Sequence, residues 1–366
     1  MSEIKKLIER LCPDGVEYKK LGEVCVMQRG TSMTKKNAIE GDIPVISGGR
    51  EPAFYINQSN REGETITVAG SGAGAGYVQY WNEPIFVNDA FSVKGSEELL
   101  TKYVYYCMKK MQEQITGTQK GGGVPHVHIS SIDNFEIPVP PIEVQSKIVE
   151  YLDNFTELEA ELEAELEARR KQYEYYRNQL LTFDKDKGAR FEKLGDVCKI
   201  ERGVRVVRKD LEIEGDIPVY QNSLIPLGYY MKSNYPENTP FIICGGGAGQ
   251  IGFSTKPYWA ADDCFSIVCS DILNSKYVYY SMLNKNNYFI SRVRKASIPR
   301  LSRSSVESFE IAIPSLEEQQ RIVSILDRFE ALTTDLQSGL PAEIEARRKQ
   351  YEYYREKLLT FKRKTA

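Results

Sequence analysis

Gly247-Ala248-Gly249-Gln250-Ile251-Gly252 matches the GxGxxG pattern and follows the strand-like run Phe241-Ile242-Ile243-Cys244. Such a loop cradles a nucleotide or S-adenosylmethionine only when a helix opens directly after it, because the phosphate rests on the helix N-terminus. Phe253-Ser254-Thr255-Lys256-Pro257-Tyr258-Trp259 does not open a helix. In a related earlier stretch Tyr77 falls at the third glycine's position. The glycines are expected to serve a tight strand connection or a close approach of backbone to a partner. His126 and His128 are the only histidines and would share one face of a strand. The second stretch has Arg300 and Ser302 there, and no Cys or acid cluster completes a metal set. No metal is expected; contact to a phosphate or a base edge, or simple surface exposure, is the favoured reading.

Basic residues gather in candidate loops. Arg202, Arg205, Arg208 and Lys209 surround Gly203, and Arg292, Arg294, Lys295, Arg300 and Arg303 lie in one Ser-rich stretch. An earlier and sparser set is Arg29, Lys35, Lys36 and Lys120, the last beside Gly121-Gly122-Gly123. Most surface Lys and Arg are merely solvated, but the planar arginine fork suits phosphate or guanine. These residues are the candidate DNA contacts, together with both histidines.

No catalytic constellation stands out. HExxH, GxSxG and P-loop patterns are absent, as is the Asp/Asn-Pro-Pro-aromatic tetrapeptide of amino-methyltransferases; Asn234-Tyr235-Pro236-Glu237 is not that motif. A chain of 366 residues with 41% apolar and 27% charged residues has room for two to three soluble domains. No apolar run is long enough to span a membrane, and Met1-Ser2-Glu3-Ile4-Lys5-Lys6 lacks a signal-peptide core. Seven cysteines without a CxxC pair fit reduced thiols, so a cytoplasmic protein is expected. Net charge is −3, but its distribution matters more. Residues 143–183 carry ten acids against five bases, whereas residues 184–310 carry eighteen Lys/Arg against fifteen Asp/Glu.

The chain is written twice. Gly41-Asp42-Ile43-Pro44-Val45 recurs at 215–219, Lys102-Tyr103-Val104-Tyr105-Tyr106 at 276–280, and Phe135-Glu136-Ile137 at 309–311. Leu21-Gly22-Glu23-Val24-Cys25 returns with one change as Leu194-Gly195-Asp196-Val197-Cys198. A period this long is a duplicated domain, not a solenoid. Glu167-Ala168-Arg169-Arg170-Lys171-Gln172-Tyr173-Glu174-Tyr175-Tyr176-Arg177 recurs identically at 345–355, with four residues gained between Phe329 and Ala346. Tyr173 and Tyr176 fall on the helix's apolar stripe and are expected in its core. Tyr175, Arg169, Arg170 and Arg177, with Arg347, Arg348, Tyr353 and Arg355, are candidate anchors for two copies of one partner.

Ile4, Leu7, Ile8 and Leu11 predict a short helix ended by Pro13-Asp14-Gly15. Residues 17–141 predict short strands with one helix near 99–114, closed by Pro138-Val139-Pro140-Pro141. From Ile142 to Phe183 no Gly or Pro interrupts a leucine and aromatic stripe, which predicts one long helix burying its stripe in a coiled coil. The second half repeats the plan, and Ser338-Gly339-Leu340-Pro341 predicts a break in its helix.

Ile137-Pro138-Val139-Pro140-Pro141-Ile142-Glu143-Val144-Gln145 and Ile313-Pro314-Ser315-Leu316-Glu317-Glu318-Gln319-Gln320-Arg321-Ile322-Val323 resemble the recognition-domain-to-helix junctions of type I restriction–modification specificity subunits. Pro125, Pro299 and the pairs Arg29-Gly30 and Arg202-Gly203 also match that family's pattern. The resemblance implies a mixed α/β fold: two similar target-recognition domains joined by long helices in an antiparallel coiled coil. The expected division is an N-terminal helix (1–16), recognition domain 1 (17–141), a central helical spacer (142–187), recognition domain 2 (188–315) and a C-terminal helical spacer (316–366). It further implies a bipartite double-stranded DNA target, two methyltransferase subunits and restriction/translocase subunits. S-adenosylmethionine, ATP and Mg would belong to those partners, and this chain would hold no cofactor and do no catalysis. The rival readings are a stand-alone adenine methyltransferase, which the missing tetrapeptide opposes, and a coiled-coil scaffold without a DNA role.

Overall fold

The structure is a computed structural model that describes residues 2–121, 123–187, 189–207, 209, 211, 215–334 and 338–364. The chain divides into two compact units, Met1–Leu162 with Ile344–Ala366, and Glu163–Glu343.

In the first unit a four-stranded antiparallel sheet runs in the order Cys25–Arg29, Ala90–Gly95, Thr65–Ala69, Val78–Trp81. Every residue of Thr65–Ala69 is buried, because both faces of the sheet are covered. Ile66 and Val68 point into a core with Val104 and the helix Thr101–Lys110. On the opposite face Thr67 accepts a hydrogen bond from Trp81 Nε1 at 2.9 Å. A smaller sheet pairs Ile43–Ile46 antiparallel with Tyr55–Ile56 and parallel with Phe86–Val87. A third pairs Tyr18–Lys20 with Glu136–Pro138.

The second unit repeats each of these sheets. Its four-stranded order is Cys198–Arg202, Cys264–Cys269, Thr239–Ile243, Ile251–Ser254, and its smaller sheets are Gly228–Tyr230 with Ile217–Tyr220 and Trp259–Ala260, and Phe191–Lys193 with Glu310–Ala312. The duplication read from the sequence is thus a duplication of fold. The filling differs: where the first unit has Thr67, the second has Phe241, stacked 4.6 Å from Tyr220 and packed on Tyr258.

The repeated Lys-Tyr-Val-Tyr-Tyr segments anchor each sheet to a helix. Tyr103 and Tyr277 are buried and donate to the carbonyls of Pro138 (3.2 Å) and Ala312 (2.9 Å). Tyr106 donates to Asp153, and Tyr280 to Asp327 at 2.6 Å. Lys102 and Lys276 reach the same two carboxylates, each at 2.8 Å. Burial, followed by these carboxylates, raises the pKa of both Tyr106 and Tyr280 far above that of a free phenol.

The long helix is observed as Ile142–Leu180. The second helical segment is broken where Ser338-Gly339 predicts, into Leu316–Thr334 and Leu340–Leu358, with Pro341 tolerated in a first turn. Residues 335–337 lie outside the described residues. In the first unit Tyr151 and Phe155 pack on Tyr354, Phe155 on Tyr351, and Glu159 pairs with Arg348 at 2.5 Å. Rising numbers meet falling ones, so the helices are antiparallel. In the second unit Tyr173 and Tyr176 pack on Phe329. Each identical eleven-residue segment therefore packs on the helix that opens the other repeat's helical segment. Residues 359–364 follow the same logic: Val16 and Tyr18 bind the backbone of Lys362 and Phe361 at 2.8 and 3.0 Å.

Candidate nucleic-acid interface

The glycine loop is a strand connection, as the sequence suggests. It joins Thr239–Ile243 to Ile251–Ser254, and no helix follows it. Its third glycine exists for packing. Gly252 faces Phe241 across the ladder, and a Cβ there would come within 2.3 Å of the Phe241 ring. The register sets Gly252 opposite the position of Thr67, whose partner is Gln79, so Gln79 and not Tyr77 is its counterpart. The first unit's connection is one residue longer, which sequence offset alone could not place.

Each glycine connection supports a short hairpin bearing sequence-predicted contacts. In the first unit Lys120 and His126 exchange backbone hydrogen bonds of 2.9 and 2.8 Å, and Gly72 N–H donates to the Pro125 carbonyl at 3.0 Å. In the second, Arg294 and Arg300 exchange bonds of 2.8 and 3.2 Å, and Gly246 N–H donates to the Pro299 carbonyl at 3.2 Å. The two prolines thus present carbonyls to the glycine loops, and a proline there has no N–H to leave unpaired.

A cleft of about 520 Å³ in the first unit brings together Arg29, His126 and His128, with Ser32, Asn88 and Asp89. The two imidazoles are exposed and lie parallel, 6.1 Å apart, with Val127 buried between them. Among the described residues no group of three or more His, Cys, Asp or Glu is placed to hold a metal ion. Arg29 ends its strand, and Gly30 then lies against the bend between Phe86–Val87 and Ala90–Gly95: a Cβ on Gly30 would sit 2.1 Å from the Asn88 carbonyl. Gly203 repeats this at 2.2 Å from Ala261. Behind Arg29, the Arg61 guanidinium donates to the Arg29 carbonyl (2.9 Å) and Ser92 Oγ (2.7 Å). Sequence reading missed Arg61, a positioning residue with no counterpart in the motifs. Lys35 and Lys36 occupy an exposed turn, and Lys35 lines a separate cleft with Glu40, Asp42 and Tyr55.

In the second unit Arg202 Nε donates to the Asp262 carbonyl at 2.7 Å, and Arg300 pairs with Asp263 at 2.8 Å. Both guanidiniums remain exposed, as are Arg205, Lys209, Arg294 and Lys295; Arg208 lies outside the described residues. Two members of the predicted cluster turn elsewhere. Arg292 folds over the Tyr288 ring at 3.5 Å and donates to that residue's carbonyl, and Arg303 pairs with Glu307 one helical turn on. The linear cluster is therefore split by the chain's own turns.

The helical anchors also divide. Tyr175 and Tyr353 are exposed at 60% and 58%. Arg169 binds Glu165 and Gln172, Arg347 binds Gln350 at 3.1 Å, and Arg348 binds Glu159. Arg170 is exposed. Arg177 and Arg355 are not free projections: each lies over a tyrosine, Tyr173 at 5.2 Å and Tyr351 at 5.3 Å, with its Nε buried.

Among the described residues no helix is long and apolar enough to cross a membrane. The model of the type I restriction modification DNA specificity domain matches residues 13–168 and 187–346, one match per repeat. A Haemophilus influenzae protein named as a type I restriction enzyme specificity subunit is 31% identical, over 99% of this chain and 100% of its own. The EcoR124I/EcoR124II specificity subunit of Escherichia coli is 29% identical, over 99% and 98%. The crystal structure of a type I restriction-modification S subunit from M. genitalium superposes with a TM-score of 0.70 at 20% identity, covering 94% of this chain and 96% of that one. A chain from a study of type I R-M complex assembly and conformational transition gives 0.59 at 17% identity, covering 94% and 97%. These last two are likenesses of fold. With both repeats matched and the whole length covered, the chain belongs to the type I restriction modification DNA specificity family.

Proposed function

We propose that this chain is the specificity subunit of a type I restriction–modification complex, that it reads double-stranded DNA at a bipartite target, and that it performs no catalysis itself. The observation that carries this is the repeated assembly of hairpin, glycine connection and exposed cations, one in each unit. Residues 17–141 and 188–315 each read one half-site. Phosphate contacts by Arg29, Lys120, Arg202, Arg205 and Lys295 fix register, and hairpin residues such as His126 and Arg300 approach base edges. The helical segments 142–187 and 316–366 set the spacing and dock two methyltransferase subunits. Restriction/translocase subunits complete the complex in the cytoplasm. S-adenosylmethionine, ATP and Mg sit on those partners.

Tyr175 with Arg170, and Tyr353 with Arg348, form the two docking patches. The test is co-expression with the methyltransferase, methylome sequencing and native mass spectrometry. The expected result is one bipartite methylated motif, two methyltransferases per chain, and loss of one copy on Y175A/R170E or on Y353A. Methylation by the isolated chain, or an unpartnered chain that still directs a motif, would overturn this reading.

A further inference from the structure

We propose that the tip loops 48–52 and 222–226 determine specificity by opposite chemistries: Arg50 reads a guanine, and Leu224 with Ile225 reads thymine methyl groups. The proposal rests on the DNA-reading function and names the base chemistry of each half.

The two loops are equivalent. Each leaves the central strand of the smaller sheet and returns to it through one backbone bond, Ala53 to Val45 at 2.9 Å and Leu227 to Val219 at 2.8 Å. Pro52 and Pro226 occupy the same place. Each loop is also seated on the glycine connection. Gly247 N–H donates to the Asn222 carbonyl at 2.8 Å, and a Cβ on Gly74 would come within 2.5 Å of the Gly48 carbonyl. The glycine connections in turn hold the hairpins through Pro125 and Pro299. Tip, glycine loop and hairpin thus form one continuous backbone layer in each unit, and its hairpin carries exposed cations, Lys120 in the first unit and Arg294 and Arg300 in the second.

On this shared frame the side chains diverge. Gly49-Arg50-Glu51 in the first unit is replaced by Ser223-Leu224-Ile225 in the second. Arg50 is exposed, with its guanidinium 4.9 Å over the Tyr77 ring. The ring steadies the planar fork that guanine O6 and N7 require. Leu224 is 42% exposed and Ile225 78%. Ser223 Oγ donates to the Ile225 carbonyl at 2.9 Å, so the apolar tip is held in place. Exposed aliphatic groups at a braced tip are costly unless something covers them. Arg300, next in sequence to the Pro299 that holds Gly246, and its hairpin partner Arg294 are exposed cations on the same backbone layer, and they select a polyanion as that cover. The apolar group that a duplex offers in its major groove is the thymine 5-methyl.

The experiment uses the full chain with its methyltransferase partner and the target found by methylome sequencing. Duplexes carrying the target are altered one base at a time, thymine to 2′-deoxyuridine and guanine to 7-deazaguanine, and binding is measured at fixed salt. The unaltered chain should lose about fourfold per contacted thymine methyl, within one half-site only. It should lose about tenfold at one guanine of the other half. L224S/I225S should bind thymine and uracil duplexes alike, and R50A should ignore 7-deazaguanine; unchanged melting temperatures show that both variants fold. Equal uracil penalties in the unaltered chain and L224S/I225S, or no uracil penalty anywhere, overturn the apolar assignment. A 7-deazaguanine penalty that persists in R50A, or none in the unaltered chain, overturns the arginine assignment. Absence of any sequence-specific binding overturns the underlying function as well, and so differs from specific binding that ignores these loops.

Discussion

The Gln145 carboxamide accepts the Leu100 amide at 2.9 Å, and its nitrogen donates to the carbonyls of Glu98 and Pro140, both at 2.8 Å. Gln319 repeats this with Asn274 at 2.8 Å, Ile272 at 3.0 Å and Pro314 at 2.9 Å. Both side chains are fully buried. One glutamine thus ties the start of a helix to the loop entering the Lys-Tyr-Val-Tyr-Tyr segment, and to the proline junction.

Removing either glutamine leaves one backbone N–H and two carbonyls without partners. Each orphaned group costs about 1–3 kcal/mol, so Q145A and Q319A should each destabilise by at least about 3 kcal/mol. Q145E should be no better at neutral pH, because a carboxylate cannot donate to the two carbonyls. Urea unfolding curves measure this. A midpoint unchanged in Q145A would show that the junction is held by the helix and strand alone.

Gly252 separates packing from phosphate binding. G252A places a Cβ against the Phe241 ring, and overpacking of this kind costs about 1–3 kcal/mol. F241L makes room for that Cβ, so the double variant G252A/F241L should recover part of the loss relative to the sum of the singles. Thermal melts of all four proteins give the coupling. Additive losses would mean that the glycine serves something other than the ring.

This glycine marks where the sequence stops being informative. The duplication, the strands and the long helix were legible because they repeat locally, in residues such as the Lys-Tyr-Val-Tyr-Tyr segments. That Gly252 answers Phe241 depends on ladder register, which a one-residue difference in loop length had hidden. That Tyr351 packs on Phe155, and Tyr173 on Phe329, depends on contacts between distant segments, and identical eleven-residue copies give no sign of which helix they face. The basic stretch 292–303 looked uniform along the chain. Arg292 and Arg303 are nonetheless drawn away by Tyr288 and Glu307, and only the turn geometry decides that.

Arg294, Arg300 and Arg292 should accordingly behave differently. R300A should cost about 1–3 kcal/mol of binding and relax one target position if the Asp263 pair holds its fork toward a base. R300K should not restore it, since an ammonium lacks the fork. R294A should weaken all sequences alike and lower the salt slope by about one unit. R292A should change neither. Binding at several salt concentrations separates the three. Equal effects from all three arginines would place the DNA on the Tyr288 side of the hairpin.

The acidic repeat Leu158-Glu159-Ala160-Glu161, Leu162-Glu163-Ala164-Glu165 tests whether the helices set the gap between half-sites. Four residues amount to about 6 Å of helix and a turn of about 400°, so deleting 162–165 moves the apolar stripe by only about 40°. The pairing of Glu159 with Arg348 shows what must adjust. Helix Ile142–Leu180 is continuous, so residues C-terminal to the deletion shift by one turn against their partners. On the other segment a turn at Ser338-Gly339 precedes the helix Leu340–Leu358, and the four extra residues of the second repeat fall between Phe329 and Ala346. That turn can absorb the shift without moving Tyr351 or Phe329 from their rings. Since a base pair adds about 3.4 Å of duplex, the variant should keep both half-sites and shorten the unspecified gap by one or two base pairs. Deleting only residues 162 and 163 turns the stripe to the opposite face and should unfold the pairing. Methylome sequencing of the four-residue variant with its partner decides the matter: an active protein with an unchanged gap means that the helices hold the units without measuring the DNA.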